Sequence, residues 1–162
     1  MTSSTTSIPA RSAERRFSPG LLVGGAFAFT TLLNIAVHVG QILFTDYDRN
    51  DPEGPIASVQ SISFFGALGL VLALAVAVPL SRDPQRAKVG AIVLGSLAVV
   101  TLPFFWSGAP AALGACAAWL GGLTRGSHPQ TGAARGFGVV GLVITILVIV
   151  ATVFGLIVGQ FE

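Results

Sequence analysis

The chain is poor in charge. Charged residues make up 10% of its 162 residues, against roughly a quarter in an ordinary soluble domain. So few ionic groups cannot clothe a water-facing surface, which excludes the usual soluble globular architecture. Cysteine is almost missing. The single Cys116 rules out an intrachain disulfide and any multi-cysteine metal site. It sits among alanines with no base near it in sequence, so it reads as a buried, inert thiol. Histidine is confined to His38 and His128, one in an apolar run and one in a polar loop, so a bis-histidine metal or haem site within one chain is not expected. No basic patch is interleaved with aromatics, so the formal charge of +2 gives no reason to expect nucleic acid as a partner. No nucleophile–base set and no phosphate loop is present, and the glycine-rich strings follow no strand. Neither an enzyme nor a cofactor is expected.

What is abundant is apolar. Hydrophobic residues reach 52%, with 20 glycines. Several apolar runs exceed about 18 residues, the length that spans hydrocarbon. The expected fold class is an all-α integral membrane protein with five apolar helical segments, over about 19–44, 56–80, 89–106, 109–123 and 137–159. Residues 18–162 then form a single polytopic membrane domain. Residues 1–17, rich in Ser and Thr, are expected to be a disordered cytoplasmic tail. A secretory signal is a poor fit, because the run 21–44 is too long for its apolar core and no small-x-small site ends it.

The loops carry readable signs. Arg11, Arg15 and Arg16 precede the first segment, and Asp46, Asp48, Asp51 and Glu53 follow it. Arg82, Arg86 and Lys88 follow the second, and Arg125 and Arg135 precede the last. Five segments put all the basic groups on one side. One long broken helix over 89–123, the four-span alternative, puts the last two basic loops on opposite sides. The positive-inside rule therefore favours five segments in a bacterial-type plasma membrane, with the N-terminus cytoplasmic and the C-terminus outside. The fourth segment is the weak point. Fifteen helical residues reach roughly 22 Å against a core of about 30 Å. It is either a short helix tilted in or half of a re-entrant hairpin, with neighbouring protein shielding its ends.

Small residues recur at helical spacing. Gly20 and Gly24 are four apart, as are Gly114 and Ala118, Ala118 and Gly122, and Ala111 and Ala115. Such spacing lets helix backbones approach closely, with Trp119 as the one bulky anchor of the fourth segment. The string Lys88-Val89-Gly90-Ala91-Ile92-Val93-Leu94-Gly95 leads into an aromatic and proline turn. Leu113-Gly114-Ala115 through Gly121-Gly122-Leu123 follows, then a basic loop and Ala134-Arg135-Gly136-Phe137-Gly138-Val139-Val140-Gly141-Leu142-Val143. Over about 88–155 this resembles a glycine-rich membrane-hairpin domain of unknown function found in small bacterial membrane proteins. The resemblance implies a fold and no activity.

Polar groups within the spans concentrate on the first segment. At about 100° per residue, Thr30, Asn34, His38, Gln41 and Thr45 fall within an arc of roughly 80°. Such a stripe should face the bundle, because amides and imidazoles have no partners in lipid. It serves either as hydrogen-bonding glue between helices or as the wall of an outward-open polar pocket. No Asp, Glu, Lys or Arg lies mid-span to complete an ion relay. In the acidic loop, Asp46, Asp48 and Asn50 mimic alternate calcium ligands. Asp51 stands where glycine is required and Ala57 where glutamate is, so an EF-hand is excluded. Ser58, Ser61 and Ser63, with Gln60, open the second segment as cap or interface residues.

The sequence thus points to a non-enzymatic accessory or scaffold subunit whose partners are the lipid bilayer and either a membrane-protein complex or further copies of itself. The alternative is a small transporter or ligand-binding membrane protein using Thr30, Asn34, His38 and Gln41.

Overall fold

The computed structural model describes residues 17–48 and 51–158. Nearly all of the N-terminal tail therefore lies outside the described residues, as do Asn50 of the calcium-like triplet and the expected end of the last segment at Gly159. The described chain is helical, with no strand among the described residues. Helix α1 covers Pro19–Phe44, α2 Pro55–Leu80, α3 Pro84–Val100, α4 Ala109–Leu120 and α5 Gly132–Val158. A 3-10 turn, Leu102–Ser107, joins α3 to α4. Three of these helices, α1, α2 and α5, are long and apolar enough to cross a membrane, which points to a multi-pass membrane protein. Their outer surfaces carry exposed Phe29, Phe64, Val71, Leu147 and Phe154.

Local chemistry sets the helix starts. Pro19, Pro55 and Pro84 each occupy the first helical turn, where no N–H is needed. Ser18 caps α1 by accepting from the Leu21 N–H at 3.2 Å. Asp83 caps α3, its Oδ1 accepting from Gln85 N at 2.8 Å and Arg86 N at 3.0 Å. This cap moves the start of α3 to Pro84, ahead of the expected residue 89, because the cap outweighs the two cations in the first turns. The left-handed Gly108 (φ 78°) ends the turn and admits α4. The chain reverses between α3 and α4, which pack side by side, so 89–123 is not one long broken helix.

Helix α4 is the centre of the molecule. Eleven of its twelve residues are buried, and only Trp119 is not. Helices α1, α2, α3 and α5 all pack on it. Small residues allow this. On α2 the buried stripe is Ile62, Gly66, Gly69, Ala73 and Ala77. A Cβ placed on Gly69 would lie 2.5 Å from that of Ala109. The α4–α5 contact is the closest. A Cβ on Gly141 would lie 2.6 Å from the Gly114 carbonyl oxygen, and one on Gly138 would lie 2.9 Å from the Gly121 Cα. Thr145 Oγ1 shares its proton between Gly141 O of its own helix at 2.9 Å and, across the same contact, Ala111 O at 3.1 Å.

The close contacts partly redraw the expected small-residue ladder. Gly114 belongs to it, but its continuation is Ala117 and Gly121, not Ala118 and Gly122. Gly122 has left the helix with φ 82°. Gly20 and Gly24 meet nothing within 4 Å.

The basic loops gather at one end of the bundle. Arg125 N–H donates to Phe17 O at 2.9 Å, and Gln130 Nε2 donates to Pro84 O at 3.0 Å. These bonds tie the start of α1, the α2–α3 corner and the α4–α5 loop together. The acidic α1–α2 loop, with Asp46, Asp51 and Glu53, lies at the other end of α1 and α2.

Candidate functional site: the hairpin tip and the cleft above it

The turn joining α3 to α4 does not reach the far ends of the long helices. Thr31 Oγ1 donates to Ser107 O at 3.0 Å, and Thr31 stands at the midpoint of α1. Asn34 Nδ2 donates to Trp106 O at 3.0 Å. On α2 the residue against Ser107 O is Gly66, again near mid-helix. On α5, Thr145 meets Ala111 at mid-helix. Helices α1, α2 and α5 therefore run on roughly 15–20 Å past the turn, at 1.5 Å per residue.

A backbone turn at that depth needs a partner for each exposed polar group. Thr101 O accepts from Phe104 N at 2.9 Å and Phe104 O from Ser107 Oγ at 2.7 Å. Phe105 O accepts from Gly108 N at 3.1 Å. The last two carbonyls, on Trp106 and Ser107, go to Asn34 and Thr31. Ser107 Oγ also accepts from Ala109 N at 3.2 Å, capping α4. Aromatic packing fixes the turn laterally, with Phe65 of α2 stacked on Phe104 at 6.0 Å and edge-on to Trp106 at 5.7 Å.

Thr31 lies one position off the stripe expected from a regular helix. It turns inward because α1 contains a π-helical turn over Ala28–Leu32. The wider turn buries Thr30 and Thr31 together. Both threonine hydroxyls crowd the face of Gly108, so a side chain there would collide with them. Thr30 Oγ1 itself donates back to Ala26 O at 2.7 Å. Adjacent threonines are the only sequence signal for this, and they do not announce a π-turn.

Of the stripe residues, Thr30 and Asn34 are buried, His38 is half-buried, and Gln41 and Thr45 are exposed. Thr45 Oγ1 only back-bonds to Gln41 O. His38 Nδ1 lies 2.9 Å from Asn34 O. A carbonyl can only accept, so Nδ1 carries the proton in this bond and Nε2 is left for another partner. Above the turn, Asn34 and His38 of α1, Ser58, Ser61 and Ile62 of α2, and Trp106 line an open cleft of about 260 Å³. Ser58 and Ser61, expected as cap residues, thus join the wall, although Ser61 Oγ already donates to Ala57 O at 2.9 Å. The cleft offers neutral donors and acceptors over an aromatic floor. Gln41 does not line it.

Cys116 is buried in the middle of α4. Among the described residues no group of three or more His, Cys, Asp or Glu could hold a metal ion. No family model matches the chain, and no curated protein or solved structure matches it.

Proposed function

We propose that the protein is a non-enzymatic integral membrane protein of a bacterial-type plasma membrane, an accessory or scaffold subunit that packs against a larger membrane complex or against copies of itself. One observation carries this reading. The axis of the bundle is filled by α4, and the buried donors on Thr31 and on Asn34 of the stripe are engaged by backbone carbonyls. Recognition is then left to the lipid-facing surface. Purified in mild detergent from its native membrane, the protein should carry a stoichiometric membrane partner or migrate as a defined oligomer. Recovery of monomer alone overturns the proposal.

For the membrane path we propose three crossings, α1, α2 and α5, with α3 and α4 forming a re-entrant hairpin that enters from the basic side. The mid-helix position of the turn supports this, as does the burial of α4, whose roughly 18 Å would not cross a core of about 30 Å. The N-terminus is cytoplasmic and the C-terminus outside, as five full crossings would also have it. The clustering of the basic loops at one end supports that orientation. The glycine-rich hairpin resemblance over 88–155 is kept as a proposal for this region only. Single cysteines in a Cys116→Ser background test the path. Asp51→Cys should react with an impermeant maleimide from outside and Ser127→Cys only from inside. Phe105→Cys should react slowly from both sides. Fast external labelling of Phe105→Cys favours five full crossings, and cytosolic labelling of Asp51→Cys rejects both paths.

The cleft above the turn favours a second reading, a pocket open to the acidic side for a small neutral polar ligand, with His38 Nε2 and Asn34 at its wall. His38→Ala should abolish binding or flux with the fold intact. A variant that only lowers expression assigns His38 to structure.

A further inference from the structure

A second cleft, of about 190 Å³, opens at the basic end of the bundle. Pro19 lines it from α1, Ser81 and Ala87 from the α2–α3 corner, Trp119 and Leu120 from α4, and Gly126, Ser127 and His128 from the following loop. Its walls are built. The loop turns on left-handed Gly122 and Gly126. It is pinned from both sides by the Arg125–Phe17 and Gln130–Pro84 hydrogen bonds.

The charge around it is one-sided. Arg82 follows Ser81, Arg86 and Lys88 flank Ala87, and Arg125 precedes Gly126. All four are exposed, and none forms a salt bridge with a described residue. Asp83 is the only acid in these loops. Its carboxylate is engaged in capping α3, and the Arg86 backbone N–H, with the Arg86 and His128 charges adding to it, holds its carboxyl below the usual carboxylate range. Among the described residues, neither the His128 ring nor the Trp119 indole N–H has a hydrogen-bond partner. The cleft therefore combines the unpartnered donors of His128 and Trp119 with an apolar floor of Leu120 and Pro19, and exposed cations stand next in sequence to three of its lining residues, at the level where the long apolar helices end.

We propose that this cleft binds a phosphate ester, with His128 and Trp119 facing the phosphate and Arg82, Arg86 and Arg125 closing round it, while Ser127 Oγ, which donates to Thr124 O at 2.6 Å, holds the loop in shape. Anionic lipid headgroups and soluble phosphate esters share this chemistry. The apolar floor at the end of the bundle favours the lipid. The inference holds whichever side of the membrane this end faces, and it stands apart from the scaffold reading.

The test uses the full chain in nanodiscs of phosphatidylcholine alone or with phosphatidylglycerol, and reads lipid retained after detergent extraction by native mass spectrometry. The wild type should retain phosphatidylglycerol over phosphatidylcholine. Each of Arg82→Ala, Arg86→Ala and Arg125→Ala should weaken retention by about fivefold. Arg135→Ala removes an equal charge from α5, outside the cleft, and should leave retention unchanged. His128→Leu keeps every arginine and should still lose the preference, with helicity by circular dichroism as the folding control. Free glycerol 1-phosphate is the second arm. If it binds with millimolar affinity or better and lipid shows no preference, the cleft serves a soluble phosphate ester. No binding in either arm overturns the proposal. So does an Arg135→Ala loss equal to that of Arg125→Ala, because bulk charge then explains everything.

Discussion

Gly141→Ala is expected to force α5 away from α4 and to destabilise the protein. The new methyl would lie 2.6 Å from the Gly114 carbonyl oxygen and 2.8 Å from the Ala117 Cβ. Neither atom can move by a rotamer change, so the helices themselves must part. Parting them also stretches the Thr145–Ala111 hydrogen bond, now 3.1 Å. Two effects compete. Alanine is a better helix former than glycine by about 0.8–1.0 kcal/mol. Overpacking a tight contact costs typically about 1–3 kcal/mol. With backbone as the obstacle the second should win, for a net loss of up to about 2 kcal/mol. Gly136→Ala and Gly155→Ala are the controls. They lie on the same helix, and a Cβ at either meets nothing within 4 Å, so they should be neutral or stabilising. Cys116 supplies a clean probe, since it is the only thiol and is buried in α4. Its maleimide reaction should quicken in Gly141→Ala and stay slow in the two controls. Equal stability of Gly141→Ala and Gly136→Ala would mean that the α4–α5 contact is looser than described.

Much of this architecture can be read in the sequence, and the parts that cannot share a physical cause. Apolar run length announces α1, α2 and α5, but it misses the first turn of α3, because the Asp83 cap and Pro84 start that helix within a polar stretch. Loop charge pairs the α2–α3 and α4–α5 loops before any contact is known. Depth is different. Nothing local to Pro103-Phe104-Phe105-Trp106 says whether that turn lies at an interface or at mid-helix. The answer comes from Thr31, Asn34 and Gly66, which are remote in sequence. The π-turn is invisible for a related reason. Periodicity assumes 3.6 residues per turn, and a wider turn at Ala28–Leu32 shifts the face that Thr31 presents. The small-residue spacing fails at Gly20 and Gly24, which meet nothing within 4 Å, and again where α4 ends, because glycine spacing cannot tell the C-cap Gly121 from the left-handed Gly122 that follows it.

The same remote pairing yields the second large effect. Asn34→Leu removes the side-chain donor to Trp106 O, and Thr31→Val removes the donor to Ser107 O while keeping its shape. An ordinary interhelical side-chain hydrogen bond in a membrane protein averages about 0.6 kcal/mol. These two bonds should be worth more. Each leaves a backbone carbonyl stranded away from water, which costs about 1–3 kcal/mol, and the carbonyl cannot rotate to find a new partner. Thr101→Val is the comparison, since the Thr101 hydroxyl only back-bonds to Leu97 O and Ala98 O in its own helix. It should shift stability by less than about 0.5 kcal/mol. The double variant should cost less than the sum of the singles. Both carbonyls belong to one rigid turn, and the first loss already lets the tip move toward the open cleft, where water can reach it. Detergent-titrated unfolding of the four variants beside the wild type measures all of this. If Thr31→Val and Asn34→Leu both stay within a few tenths of a kcal/mol of the wild type, as weak interhelical bonds do, the tip does not depend on α1, and the polar stripe must be there for something it binds.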